Sequence, residues 1–138
     1  MVYRKDWGQP QQGIQGFARN VKAFGRKVNI SVADMNTLGN VVGLFMLPGG
    51  FVITGMIGPA VPAFGTSFAF SLGDAGLSNR YLAASTIGAA GGALPAMAST
   101  GMFYRTFSDT EVQLAVTTAA TAAQAAGILE LYFTGIAV

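Results

Sequence analysis

The sequence predicts an all-β protein: an antiparallel β-sandwich or jelly-roll-like body preceded by an N-terminal arm, extended or weakly helical. Three observations lead there. Short segments alternate apolar and polar residues with period two. Turn-forming residues recur about every 8–12 positions, the spacing of a sandwich. The long uncharged run from Met35 to Gly73 is interrupted by Pro48, Pro59, Pro62 and many glycines, which neither a long helix nor a membrane span accommodates at that density.

Taken in order, residues 1–27 form the arm and residues 28–138 the sandwich domain. In the arm, Ile14, Phe17, Val21, Phe24 and Val28 are spaced 3, 4, 3, 4, one stripe of a helix. Gly13, Gly16 and Gly25 weaken that helix by about 1 kcal/mol each relative to Ala, so a partner is expected to order it. The first strand is VNISVA, residues 28–33, with Val28, Ile30 and Val32 on one face. Residues 40–47 (NVVGLFML) and 51–57 (FVITGMI) flank Pro48-Gly49-Gly50 and read as a hairpin of two central strands. Phe68, Phe70 and Leu72 share one face of the next strand. Then come the polar stretch 73–80, a small-residue connection over 87–95 and a strand at 102–107 (MFYRTF). Val112, Leu114 and Val116 alternate in the strand 111–118, and 128–133 (ILELYF) is the last strand. The alanine-rich link between those two, 119–127, is expected to be a hairpin connection.

Composition removes whole classes of chemistry. The chain has no cysteine and no histidine, hence no disulfide, no thiolate zinc site and no imidazole-based triad. No cofactor and no metal are expected, and no enzymatic activity. Charged residues are 10% of the chain and hydrophobic ones 51%, well below the usual share of about 25% charged. A surface with so few charges is one that other molecules cover. The charges are also segregated. Residues 1–27 carry Arg4, Lys5, Arg19, Lys22, Arg26 and Lys27 against Asp6 alone, whereas residues 28–138 carry Arg80 and Arg105 against Asp34, Asp74, Asp109, Glu111 and Glu130. Basic arm and mildly acidic body are expected to have different partners.

The arrangement of turns and strands resembles the small virion proteins of tailed bacteriophages, the β-sandwich class of capsid decoration (cement) proteins and head accessories. The residues that carry it are Asp34-Met35-Asn36, then Leu47-Pro48-Gly49-Gly50-Phe51-Val52, then Ser71 to Asp74, then Asn79-Arg80-Tyr81-Leu82-Ala83 with Thr86, and a Thr/Ala-rich strand leading to Gly127 and an apolar-aromatic closing strand. The resemblance spans about residues 34–134 and leaves the basic arm outside. It implies a structural protein on the capsid surface of a virion, in trimers or other homo-oligomers, binding the major capsid protein and stabilising contacts between its subunits. Nucleic acid and membrane are not expected partners. A head–tail adaptor or tail component of the same virion, and a small holin-like membrane protein, are the alternative readings.

Two groups of residues stand out as candidate sites. The stretch 71–86, SLGDAGLSNRYLAAST, gathers Asp74, Asn79 and Arg80 in an otherwise uncharged region. General acid–base work lacks a second carboxylate nearby, and calcium binding lacks the dense acidic spacing of a calcium loop. The stretch reads as a structural loop, with Asp74 bonding turn amides and pairing with Arg80. In the arm, Arg4, Lys5, Trp7, Phe17, Arg19, Lys22, Phe24, Arg26 and Lys27 read as a clamp on an acidic capsid neighbour, the aromatic rings serving as anchors. Phosphate contacts, membrane-surface binding and a solvated tail are the competing uses, and the regular apolar stripe favours the clamp.

Overall fold

The computed structural model describes residues 21–138. They form seven strands and two single-turn helices: β1 (Val21–Ile30), α1 (Val32–Met35), β2 (Val41–Leu47), β3 (Phe51–Ile57), β4 (Ala69–Gly73), β5 (Leu82–Ser85), α2 (Ile87–Ala90), β6 (Thr110–Thr118) and β7 (Gly127–Ala137). The strands make two antiparallel sheets, one ordered β1-β7-β3 and the other β2-β6-β4-β5. The all-β sandwich expected from the sequence is the observed fold. Its core lies between the sheets. Ile30, Ile53, Leu129, Leu131 and Phe133 come from one sheet, and Leu44, Leu47, Phe70, Leu72, Val112 and Leu114 from the other; all are at most 2% exposed.

Alternation determined which side chains face that core. Val112, Leu114 and Val116 are buried on β6, and Leu129, Leu131 and Phe133 on β7, with less buried residues between them. β4 departs from this pattern because all five of its residues are buried. Its outward positions are the small Ala69, Ser71 and Gly73, and the following turn lies over the last two: the Ser71 hydroxyl donates to the Ser78 carbonyl at 2.9 Å, and Gly73 faces the Leu77 and Ser78 backbone.

Both expected hairpins are corrected. β2 pairs with β6 and β3 with β7, so the Pro-Gly-Gly turn carries the chain from one sheet to the other. Its backbone groups bond sideways rather than across a hairpin. Gly49 N–H donates to Asp109 Oδ1 at 3.1 Å, Gly50 N–H to the Thr106 carbonyl at 2.7 Å, and Val138 N–H to the Gly50 carbonyl at 2.7 Å. Gly50 has φ of 76°, open to glycine at little cost. Likewise the link from β6 to β7 crosses between sheets. Thr121 N–H donates to the Thr66 carbonyl at 2.9 Å and Ala125 N–H to the Phe64 carbonyl at 2.8 Å, so the loop before β4 takes up the link's amides.

The start of the domain is corrected too. Residues 21–27 are neither helix nor loose arm; they are the first seven residues of β1, paired in register with β7 from Val21↔Ile136 to Ile30↔Gly127. Phe24 packs edge-to-face on Phe51, ring centroids 5.1 Å apart. Strand pairing prevails over the helical stripe because β7 offers an eleven-residue partner and Gly25 allows close approach: a Cβ there would strike the Leu131 carbonyl. Val32 and Ala33 lie in α1, not in a strand. Ser31 caps that helix reciprocally: its hydroxyl accepts from Asp34 N–H at 3.2 Å, and Asp34 Oδ2 accepts from Ser31 N–H at 2.8 Å. The segment 102–107 is not a full strand. It runs beside β3, with Phe103 N–H on the Ile53 carbonyl (2.7 Å), Ile53 N–H on the Tyr104 carbonyl (3.0 Å) and Thr106 N–H on the Phe51 carbonyl (2.9 Å).

Gly25→Val is expected to destabilise the domain by about 1–3 kcal/mol, the usual cost of forcing extra atoms into a packed position. The urea midpoint should fall, with the loss of protection in amide exchange greatest over residues 21–30.

Candidate functional site

The stretch 71–86 is a β-hairpin: β4, an eight-residue turn (74–81) bearing Asp74, and β5, whose Leu82 pairs with Leu72. Asp74 is 6% exposed, and four donors converge on its carboxylate. Oδ1 accepts from the Gly76 and Leu77 amides at 2.9 and 3.0 Å; Oδ2 accepts from Arg80 Nε and the Tyr81 hydroxyl, both at 2.8 Å. A charge at that depth is tolerable only when paired and hydrogen-bonded. Burial works to raise the Asp74 carboxyl, but the bonds from Arg80, Tyr81 and the Leu77 amide, with the guanidinium charge, outweigh it and hold the group below the usual carboxylate value. Burial first, and then the bond to Asp74, push the Tyr81 hydroxyl far above the usual tyrosine range, so it stays a proton donor.

From this corner the contacts spread outward. The Tyr81 ring is fully buried and meets Phe133 of the other sheet edge-to-face at 4.8 Å. The Arg80 guanidinium lies 4.0 Å from the centre of the Tyr104 ring. The Arg80 carbonyl accepts from the Thr100 hydroxyl at 2.7 Å and the Tyr81 carbonyl from Ala98 N–H at 2.8 Å. Hence the turn fixes residues 98–104 against the body. Asn79, grouped with Asp74 and Arg80 by the sequence, is exposed, and its side chain takes no part in the hydrogen bonds of this corner. Tyr81, part of the same stretch but not among its candidate site residues, is the member that the structure adds. Its adjacency to Arg80 after a Gly-Asp turn was the available signal.

The fixed segment leads directly into a surface that the sequence did not single out. Phe103 is 70% exposed and Phe107 83% exposed, with Met102 partly exposed beside them. Phe103 has φ of 62°, a left-handed conformation costing about 1–2 kcal/mol for a residue with a side chain. Its ring gains no burial in return. The Arg105 guanidinium lies 5.8 Å from the Phe107 ring centre. Aromatic rings with an arginine are the composition of interface anchors. The lack of strict alternation in MFYRTF was the signal, since it fits neither face of a strand.

The basic residues divide. Arg4, Lys5, Trp7, Phe17 and Arg19 lie outside the described residues. Lys22, Arg26 and Lys27 stand exposed on β1, and Phe24 turns inward onto Phe51. Among the described residues no three acidic, histidine or cysteine side chains cluster as metal ligands. An open depression of about 430 Å³ beside β3, lined by Met56, Ile57, Gly58, Ala60, Ala93 and Leu94, contains no ionisable side chain. Among the described residues no helix is long and apolar enough to cross a membrane.

The fold matches a chain of the cyanophage Pam1 capsid asymmetric unit, with 25% identity over 86% of each chain and a TM-score of 0.69. It also matches a chain of the capsid of Ralstonia phage GP4, with 22% identity, 86% of this chain and 84% of that chain covered, and a TM-score of 0.67. No protein-family model and no curated protein matches the sequence. The chain therefore shares its fold with components of phage capsids.

Asp74→Asn is expected to destabilise the domain by about 3 kcal/mol, as removal of one partner of a buried pair does. The pH dependence has a definite sign. Because the native carboxyl titrates below its unfolded value, its contribution is complete above that unfolded value and is lost as pH falls through the native one. Urea midpoints measured near neutrality and at about pH 3 should therefore differ more for the parent chain than for Asp74→Asn. An equal pH response in the two proteins would show that Asp74 does not carry the acid sensitivity.

Proposed function

We propose that the chain is a structural virion protein of a bacteriophage, a decoration or cement protein that binds the outside of the head and stabilises contacts between major capsid subunits. The observation that carries this is the likeness to a chain of the Pam1 capsid asymmetric unit over 86% of both chains. The physical character of the surface supports it. The exposed Met102, Phe103 and Phe107 and the low charge count are stable when a partner covers them. The buried ionised residue of the described domain, Asp74, is fully occupied in holding a turn, so structure rather than catalysis is its role.

In this role the N-terminal segment is the clamp, narrowed from residues 1–27 to residues 1–20. Arg4, Lys5 and Arg19 supply charge, and Trp7 and Phe17 supply apolar anchors. Self-association into a trimer or another homo-oligomer belongs to the same proposal.

Heads stripped of this protein and mixed with the purified chain should retain it on sedimentation, in many copies per head. Occupancy as a single ring at one vertex would indicate an adaptor instead, and no retention would exclude decoration. Deleting residues 1–20 should weaken retention while the circular dichroism of the body stays β-type. The double variant Phe103→Ser, Phe107→Ser should keep its stability within about 0.5 kcal/mol, as exposed substitutions do, and lose retention on heads. Unchanged retention would remove these two rings from the interface.

A further inference from the structure

Among the described residues β1 is an edge strand with no strand paired on its outer side, and it is of unusual length for so small a sandwich. It is the outer strand of its sheet, ten residues or about 34 Å at the usual rise per residue, with β2 of the other sheet approaching it and the side chains of Val28 and Ile30 buried. The other edges are protected. β3 is flanked by residues 103–106, β5 has only four residues, and β2 is broken in register between Gly43 and Phe45. The ladder from β1 to β7 runs without a register shift, whereas the other four ladders each contain one. Bulges and prolines are common guards of an exposed edge, and β1 has neither.

What β1 does have is charge. Lys22, Arg26 and Lys27 are exposed, and among the described residues none of them forms an ion pair. Glu130 lies opposite Lys27 in the ladder, but its carboxylate accepts from the Tyr132 hydroxyl at 2.7 Å. Such cations deter a second copy of this chain, since antiparallel edge pairing would bring like charges together. The same cations attract carboxylates. Phosphate would be attracted as well, yet the aromatic ring of β1 is turned inward on Phe51, leaving the strand no base-stacking platform. Open backbone donors and acceptors in an extended row match another polypeptide strand.

We propose that the outer edge of β1 accepts an extended acidic segment of a partner protein as an added strand, with Lys22, Arg26 and Lys27 selecting carboxylates. The identification of that partner as a capsid subunit rests on the decoration role; the edge itself rests on its geometry and charge.

The test is amide exchange over residues 21–30 of the full chain. An alternating Val-Glu decapeptide should slow exchange there by about tenfold or more, the scale of a newly formed ladder. The matching Val-Lys decapeptide and an oligothymidylate should not, and the variant Lys22→Glu, Arg26→Glu, Lys27→Glu should lose the effect. Absence of protection by the acidic peptide overturns the proposal, as does equal protection by the Val-Lys peptide or by the oligonucleotide. Protection already present in the free chain also overturns it: relief on deleting residues 1–20 would identify the chain's own N-terminal segment as the occupant, and relief on dilution a second copy. Retention on heads is scored separately, so a chain that takes the peptide but not the head keeps the edge and loses the decoration role.

Discussion

The carboxylate of Asp74 is the interaction on which the rest of the structure depends. It lies almost fully buried at the end of β4, where an ionised group needs donors from every side. Two turn amides, a guanidinium and a phenol provide them. Each donor is thereby fixed, and each passes order to something further away. Tyr81 takes its ring into the space between the sheets against Phe133, which in turn meets Phe45 edge-to-face at 5.4 Å. Arg80 lies on Tyr104, and the carbonyl of Tyr104 accepts from β3. A turn of eight residues thus ties the four-stranded sheet, the three-stranded sheet and the segment beside β3 into one unit.

Much of this was legible in the sequence, and the failures share one physical cause. Period two identified the strands because a core between two sheets selects alternate side chains, as Val112, Leu114 and Val116 show. Asp74 with Arg80 was legible as a turn because the donors are local. Strand partners were not legible. Pro48-Gly49-Gly50 is equally compatible with a hairpin and with a crossing between sheets, and only Thr106, Asp109 and Val138, far away in sequence, decide the matter. The N-terminal stripe misled for a related reason. Phe24 and Val28 are four apart, a spacing that satisfies both a helix and a strand. Val21, three residues before Phe24, separates the two: a helix would bury it beside Phe24, whereas β1 turns it outward, about half exposed. Phe103 escaped notice because its exposure goes with a left-handed backbone conformation that no pattern of residue types announces, and Phe107 because it stands beyond the segment that runs beside β3, a pairing the sequence does not reveal.

The display of those rings is the step that connects stability with role. A chain under selection only for its own stability would relax Phe103 into an ordinary conformation or fold its ring onto the nearby apolar surface. Instead the hydrogen bonds to Ile53 and the stack of Arg80 on Tyr104 hold residues 101–104 where they are. The stability generated at Asp74 is spent two residues-contacts away, on a strained and solvent-facing aromatic. The lack of charge on the body has the same logic. Few charges weaken the protection of a free monomer against association, and they also lower the desolvation cost of a broad contact, because fewer ions must be stripped of water. In the proposed contact the cations on β1 would set limits: they would oppose edge pairing between copies while leaving the apolar rim to be covered. Apolar rim and basic edge are separate surfaces with different chemistry, so a partner that engages both must present an apolar seat and an acidic strand, a combination far more selective than either surface alone.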